Sequence, residues 1–130
     1  MERNIAVVGC GYWGKNLVRN FAQLGALHTI CDSDVHKIGE LKSLYPGVNA
    51  ETDYRRLLEN EEIKGLLVAT LAALHYFMAR EALIAGKDVF VEKPFTTSSK
   101  DAHDLIEVSD KRQRVLMVGH FSFIIQRYKC

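Results

Sequence analysis

A glycine-rich turn near the start of the chain constrains its fold more than any other feature. Residues 5–8 form a short apolar run, and glycines follow at positions 9, 11 and 14, which is the spacing G-x-G-x-x-G. An apolar pattern typical of an amphipathic helix then runs to about Leu24. A strand, a turn with this spacing and a helix, in that order, form the fingerprint of a dinucleotide-binding site.

The three glycines have different predicted roles. Gly9 lets the chain turn sharply out of the strand, Gly11 lets the backbone approach a pyrophosphate, and Gly14 lets helix and strand pack closely. The first turn of the helix would present unpaired N–H groups, and the positive end of its dipole, to the phosphates. We therefore expect the turn to hold the phosphates of a dinucleotide.

Short apolar runs alternate with helical patterns along the whole chain, which is typical of β-α units on a parallel sheet. Strands are predicted near residues 4–8, 26–31, 48–50, 65–69, 87–91 and 115–118, and helices near residues 13–24, 34–44, 53–59, 72–85 and 99–111. Right-handed crossovers then favour the strand order 3-2-1-4-5-6, a doubly wound α/β Rossmann fold. We expect one domain over residues 1–120, followed by an apolar tail over residues 121–130.

Helix faces and ends can also be predicted. Leu74, Phe77, Met78 and Ala82 share one apolar face of the fourth helix, and Ala102, Leu105 and Ile106 share one face of the fifth. Ser98 and Asp101 are spaced as a capping box, Gly25 and Gly86 follow the first and fourth helices, and Asp34 is the predicted cap of the second.

The ligand crevice of this fold lies beyond the carboxyl ends of the strands. The segments that follow strands 1, 2, 4, 5 and 6 are residues 9–14, 32–34, 70–75, 92–95 and 119–120. We expect all five to line one edge of the sheet. His75 and His120 belong to these segments and are candidates to contact a ligand.

Composition argues against several other classes of protein. A formal charge of +1, with 25% charged residues and no block of like charges, gives no bias toward nucleic acid or membranes. No run of about 18 apolar residues suggests a membrane span. Three cysteines without C-x-x-C spacing and five histidines without a ligand-like pair predict neither disulfides nor a metal site, and indicate a reducing cytoplasm.

Asp32 lies 18 residues after Gly14, at the end of the second predicted strand. A carboxylate there can accept hydrogen bonds from the adenosine ribose and would repel the 2′-phosphate of NADP, so NAD is the expected cofactor. The alternative is a turn aspartate that caps the next helix, a role that fits Asp34 better.

Two other nucleotide sites compete with this interpretation. Gly9, Gly14 and Lys15 fit the motif G-x-x-x-x-G-K-[ST], but Asn16 stands where a P-loop needs a hydroxyl for magnesium. A glycine-rich loop with an acid after strand 2 can also hold S-adenosylmethionine. Such a loop is then typical of a methyltransferase. Gly14 favours a dinucleotide over S-adenosylmethionine, and titration with both ligands separates the two interpretations.

Lys93 lies in the segment Glu92-Lys93-Pro94, where strand 5 runs out into the crevice. A lysine there can act as general acid or base toward a substrate hydroxyl if its surroundings lower its pKa. Without further context, a solvated loop lysine is the simpler interpretation.

Together these motifs resemble the Gfo/Idh/MocA oxidoreductases, the glucose-fructose oxidoreductase and inositol dehydrogenase group. The resemblance covers residues 4–120 and rests on residues 9–14, 68–70 with His75, 85–87, 92–94 and 118–120. Residues 11–16 and 19–21 look most like members that act on nucleotide-linked amino sugars or their uronic acids.

The resemblance implies hydride transfer between a sugar-type secondary alcohol and the nicotinamide C4 of NAD. By matching position, Lys93 would be the catalytic lysine near the reacting hydroxyl, and Asp32 would fix the adenosine end. The other residues implied in cofactor binding are Gly9, Gly11, Tyr12, Trp13, Gly14, Thr70, His75, Glu92 and Pro94.

Two features depart from the family pattern. Leu71 replaces the usual proline after Thr70, and only residues 120–130 stand where the family has a second domain with the sugar site. Residues 121–130 resemble the start of the connection to that domain, and their apolar character predicts homo-oligomerisation or packing back on the sheet. The chain is thus either the cofactor domain of a sugar dehydrogenase, completed by a second domain or chain, or a free-standing or truncated NAD-binding module without turnover.

Overall fold

The computed structural model describes residues 2–92, 96, 98–119 and 126–127, and at positions 12, 13, 126 and 127 it describes the backbone only. Seven strands are found in this part of the chain: β1 Ile5–Val8, β2 Leu27–Cys31, β3 Asn49–Glu51, β4 Gly65–Val68, β5 Asp88–Glu92, β6 Leu116–Gly119 and β7 Gln126–Arg127. The helices are α1 Tyr12–Gln23, α2 Val35–Leu44, α3 Tyr54–Glu59, α4 Ala72–Ile84 and α5 Ser99–Arg112.

The strands form one sheet in the order β3-β2-β1-β4-β5-β6-β7. The first six are parallel, which confirms the predicted doubly wound order. β7 was not predicted. It lies in the apolar tail and pairs antiparallel to β6, with Gln126 opposite Val118. The two residues of β7 therefore pack back on the sheet.

Helices cover both faces of the sheet and bury its central strands. β4 is buried along its whole length, as expected for a parallel strand whose sequence is a continuous apolar run. One core cluster joins one face of the sheet to α1 and α2 through Leu17, Val18, Ile38 and Leu41. The other joins the opposite face to α3, α4 and α5 through Leu57, Ala79, Ala82, Leu83 and Leu105.

The apolar face predicted for α4 coincides only in part with the side of the helix that packs on the sheet, since Ala82 is buried and Met78 packs against the core. Leu74 is 42% exposed and Phe77 is 63% exposed, whereas the residues buried on α4 are His75, Ala79, Ala82 and Leu83. Apolar residues occur all round this helix, so their spacing could not select the buried face. The small side chains of Ala79 and Ala82 allow the helix to approach the sheet closely.

The predicted helix ends agree with the structure. The Asp34 carboxylate accepts hydrogen bonds from the backbone N–H groups of His36, at 2.9 Å, and Lys37, at 3.4 Å. The Ser98 hydroxyl accepts one from the N–H of Asp101 at 3.1 Å. Gly25 and Gly86 adopt positive φ angles of 74° and 85° just after α1 and α4.

At the opposite edge, where the strands begin, a buried lysine organises the backbone. Lys87 is 6% exposed, and its Nζ donates to the carbonyl oxygens of Asn60 at 2.7 Å and Ile63 at 2.8 Å. Burial lowers the pKa of Lys87. The ammonium group therefore satisfies two carbonyls in the turn that leads from α3 into β4.

Candidate functional site

The carboxyl ends of β1, β2 and β4 meet around a cavity of about 380 Å³. Its lining residues are Gly9, Gly11, Asp32, Ser33, Lys37, Ala69, Thr70, Leu71 and Leu74. A second cavity of about 130 Å³ shares part of this lining and extends to Thr52, Tyr54 and Met78. The segments after strands 1, 2 and 4 thus lie together at one edge, as the sequence predicts.

Gly9 is fixed by its conformation and by a close backbone approach. Its φ of +93° lies in the region that favours glycine. A Cβ at this position would stand 2.7 Å from the carbonyl carbon and oxygen of Ala69 and 2.9 Å from the Thr70 nitrogen. The turn after β1 therefore packs directly against the turn after β4, a contact that the glycine spacing alone does not predict.

Gly14 and Gly11 differ in what surrounds them. A Cβ on Gly14 would overlap the carbonyl oxygen of Gly9, so the start of α1 is pressed onto the glycine turn. Gly11 has open space within 4 Å of where its Cβ would be, and it lines the larger cavity. The space that a side chain would fill at Gly11 is thus available to a ligand.

The beginning of α1 faces this space with backbone donors. Gly11 is the N-cap and provides no side-chain acceptor, and the first helical hydrogen bond runs from Lys15 N–H to the Gly11 carbonyl at 2.9 Å. The N–H groups of the first turn have no carbonyl within the helix to bind, and the helix dipole adds positive potential. This arrangement suits an anion such as a pyrophosphate.

Asp32 holds the glycine turn as well as lining the cavity. One carboxylate oxygen, Oδ2, accepts a hydrogen bond from the backbone N–H of Cys10 at 2.8 Å, and Oδ1 accepts one from Asp34 N–H at 2.8 Å. Each carboxylate oxygen has more than one lone pair, so the half-buried group retains capacity to accept from a ribose hydroxyl. The sequence gives no sign of the Cys10–Asp32 bond, because it joins residues 22 positions apart.

The wall after β4 is built by Thr70 and the residues that hold it. Thr70 lines both cavities, its hydroxyl lies 3.5 Å from the Met78 sulfur, and its carbonyl oxygen lies 2.9 Å from His75 Nε2. His75 itself is only 1% exposed. It lies on the predicted segment but inside the protein, where it contacts the backbone of Thr70.

Among the remaining predicted site residues, the structure describes the side chain of Glu92 alone, at the end of β5. Glu92 is 4% exposed, and its backbone is opposite Gly119 of β6. Lys93, Pro94 and His120, together with the side chains of Tyr12 and Trp13, lie outside the described residues. Their roles in the site remain predictions.

Lys37 is a cavity residue that the sequence analysis missed. It lies in the first turn of α2, five residues after Asp32, and lines the cavity beside Ser33. Its position in the first turn of the helix that follows the strand-2 acid is a signal that could have identified it. Lys37 thus adds a positive charge to the cavity that Asp32 also lines.

Cys10 is part of the turn but is not a nucleophile. Burial raises the pKa of its thiol to about 12, and the Asp32 carboxylate contributes to the rise. Because the thiolate is the reactive form, this thiol is inert at neutral pH.

Within the described ranges, no three side chains of His, Cys, Asp or Glu are grouped so that they could hold a metal. None of the helices seen there has the length and apolar character needed to cross a membrane.

Comparison with known proteins agrees with this geometry. Residues 3–120 match the family described as "Oxidoreductase family, NAD-binding Rossmann fold". Among curated proteins, the chain is 31% identical over 129 residues to glycosyl hydrolase family 109 protein 2 of Shewanella sp. strain ANA-3. That match covers 90% of the chain and 28% of the relative.

Two solved structures are similar in sequence and fold. One is the WlbA dehydrogenase of Bordetella pertussis with NADH and UDP-GlcNAcA, at 27% identity and a TM-score of 0.82, covering 91% of this chain and 37% of that one. The other is a variant of KijD10, a 3-ketoreductase of Actinomadura kijaniata, with TDP-benzene and NADP, at 25% identity and a TM-score of 0.83, again covering 91% and 37%. The chain thus spans about a third of the length of these relatives.

Proposed function

Because the chain belongs to the oxidoreductase family with the NAD-binding Rossmann fold, we propose that the cavity beside Gly11 and Asp32 binds NAD. The observation that carries this proposal is the open space at Gly11, which faces both the start of α1 and the Asp32 carboxylate. The pyrophosphate would bind at the N–H groups of α1, and the adenosine ribose would bind at Asp32.

The preference for NAD over NADP rests on charge. A 2′-phosphate beside Asp32 would experience a repulsion of about 4 kcal/mol if two unit charges stood 4 Å apart near the surface. Lys37 lines the same cavity and would attract the phosphate, so the net preference is smaller than this figure. We assign the ribose to Asp32 because its carboxylate is hydrogen-bonded to the backbone N–H of Cys10 in the glycine turn.

The proposed activity of the complete protein is oxidation or reduction of a sugar or nucleotide-sugar secondary alcohol. Bound NAD would supply the nicotinamide C4 that accepts or donates the hydride. Lys93 would move the proton at the substrate hydroxyl, while Glu92, Pro94 and Thr70 would border the nicotinamide half. Turnover of Lys93→Met, measured with the sugar-binding part of the protein present, tests this role, because retained activity would remove Lys93 from the mechanism.

A second candidate is an NAD-binding module without turnover. The chain spans 37% of the WlbA dehydrogenase that it resembles. In the first candidate, residues 121–130 would lead into a further domain, or a second chain would complete the sugar site. Cofactor binding is common to both candidates, so it is the property to measure first.

Calorimetric titration of the chain with NADH, NADPH, S-adenosylmethionine and ATP tests the site. We expect binding of NADH, weaker binding of NADPH, and a preference that falls by about tenfold or more in Asp32→Asn. Glu107→Gln removes one negative charge from an exposed position on α5 and should leave the preference unchanged. Equal affinity for both cofactors, or an unaltered preference in Asp32→Asn, would show that Asp32 is not the ribose ligand.

A further inference from the structure

We propose that His75 is a positioning residue for the cofactor, acting through the backbone carbonyl of Thr70 without touching the cofactor itself. The proposal rests on the proposed function, and it assigns His75 a role different from direct contact. At 1% exposure the imidazole cannot reach a ligand in the crevice, yet its Nε2 lies 2.9 Å from the Thr70 oxygen. A carbonyl oxygen only accepts, so Nε2 must carry the proton and donate it.

Thr70 is the point where this hydrogen bond can affect ligand binding. It lines both cavities, and its nitrogen would stand 2.9 Å from a Cβ on Gly9. The preceding residue, Ala69, donates its N–H to the Val8 carbonyl at 2.8 Å. The Thr70 backbone therefore lies between the glycine turn and α4. A change in its orientation would alter the surface of the cavity.

α4 secures Thr70 from two sides. His75 holds the carbonyl, while the Thr70 hydroxyl lies 3.5 Å from the sulfur of Met78. The sulfur contact is weak, whereas the imidazole donates from a ring fixed by burial on a helix. The His75 hydrogen bond is thus the stronger of these two restraints on the peptide that follows Thr70.

A series of variants separates this role from simple stabilisation. His75→Leu removes the donor and keeps an apolar side chain. His75→Gln and His75→Asn are both amides, but the longer glutamine can place its N–H near the position of Nε2, and asparagine is too short. Leu83→Val, on the same helix and fully buried, reduces core packing without contacting Thr70.

NADH affinity and the thermal midpoint of unfolding are measured for each folded variant of the chain. We expect His75→Leu and His75→Asn to weaken NADH binding by about tenfold, and His75→Gln to recover most of the loss. Leu83→Val should lower the midpoint while NADH affinity stays within about twofold. If His75→Leu does not fold, the comparison of glutamine with asparagine provides the same test.

The outcomes also separate this inference from the proposed function. Failure of the unmodified chain to bind NADH would overturn both. If the unmodified chain binds NADH and the leucine or asparagine variant binds equally well, the positioning role is overturned and the cofactor site stands. Equal loss of affinity in glutamine and asparagine variants with the same thermal midpoint would likewise refute a role for the donated hydrogen bond.

Discussion

The two edges of the sheet handle their backbone polar groups in opposite ways. Where the strands begin, the buried Nζ of Lys87 occupies the interior and satisfies the carbonyls of Asn60 and Ile63. Where the strands end, Gly11 leaves open space, and the N–H groups at the start of α1 face a cavity. The first edge is completed by the protein's own side chain, and the second has room for a ligand to complete it.

This comparison also separates residues that serve stability from residues that serve binding. Within the glycine turn, Gly9 and Gly14 stand where a methyl group would overlap backbone, whereas Gly11 faces empty space. The turn therefore contains both kinds of position within six residues. Substitutions at the two edges should accordingly affect folding and cofactor affinity in different proportions.

The largest effect is expected for Gly14→Ala. Its Cβ would overlap the Gly9 carbonyl, so the variant should lose about 3 kcal/mol of folding free energy, measured by urea denaturation. Gly11→Ala is the matched control, since its φ of −74° suits alanine and its Cβ meets nothing within 4 Å. It should change stability by less than about 0.5 kcal/mol. Its NADH affinity should fall by about tenfold, because the methyl group occupies the space assigned to the pyrophosphate.

A stable Gly14→Ala variant would contradict the close packing of α1 on the turn. A Gly11→Ala variant with unaltered NADH affinity would instead contradict the placement of the pyrophosphate. The two measurements are independent, because one reports on unfolding and the other on binding.

A smaller effect is expected at the opposite edge for Lys87→Met. Methionine preserves much of the side-chain volume but leaves one buried and one part-buried carbonyl without their donor, at a cost of about 2 kcal/mol in unfolding free energy. Lys64→Met is the control, because Lys64 is exposed. NADH affinity should be unchanged in both variants. A marked loss of affinity in Lys87→Met would show that the two edges are coupled.

The smallest effect per residue is the alkaline pH dependence caused by the two buried thiols near the crevice. Burial raises the pKa values of Cys10 and Cys31 from 9.0 to about 12, so above pH 9 the unfolded chain releases thiol protons that the folded chain retains. Stability present below pH 9 is therefore lost as pH rises, by about 1.4 kcal/mol per thiol at pH 10.

Urea denaturation at pH 7 and pH 10 measures this dependence. The double variant with Cys10→Ala and Cys31→Ala should show a flatter dependence than the unmodified chain. Burial also raises the pKa of Tyr54. The stability of the double variant should therefore still fall somewhat at higher pH, because Tyr54 remains. An identical fall in unfolding free energy between pH 7 and pH 10 in the two proteins would rule out the thiols as the cause of the pH dependence.

Much of the fold could be predicted because its determinants are local or follow from handedness. The apolar run of β1, the turn residues and the caps at Asp34 and Ser98 are each read within a few positions of sequence. The orientation of α4 could not be predicted in this way, since apolar residues on every side of the helix gave no preference. The buried face of α4 is the one with Ala79 and Ala82, whose small side chains let the helix approach the sheet closely.

The sequence by itself determined that a strand, a glycine turn and a helix meet, with Asp32 at the end of the next strand. Glycine's freedom at positive φ and the spacing of three glycines are local properties, so neighbouring residues suffice to reveal them. Only the tertiary structure decided that Gly9 packs on Ala69, that Asp32 binds the N–H of Cys10, and that His75 reaches Thr70 from inside the protein. These contacts depend on how adjacent strands and helices are brought together, and that placement is set by burial of the whole core rather than by any one segment.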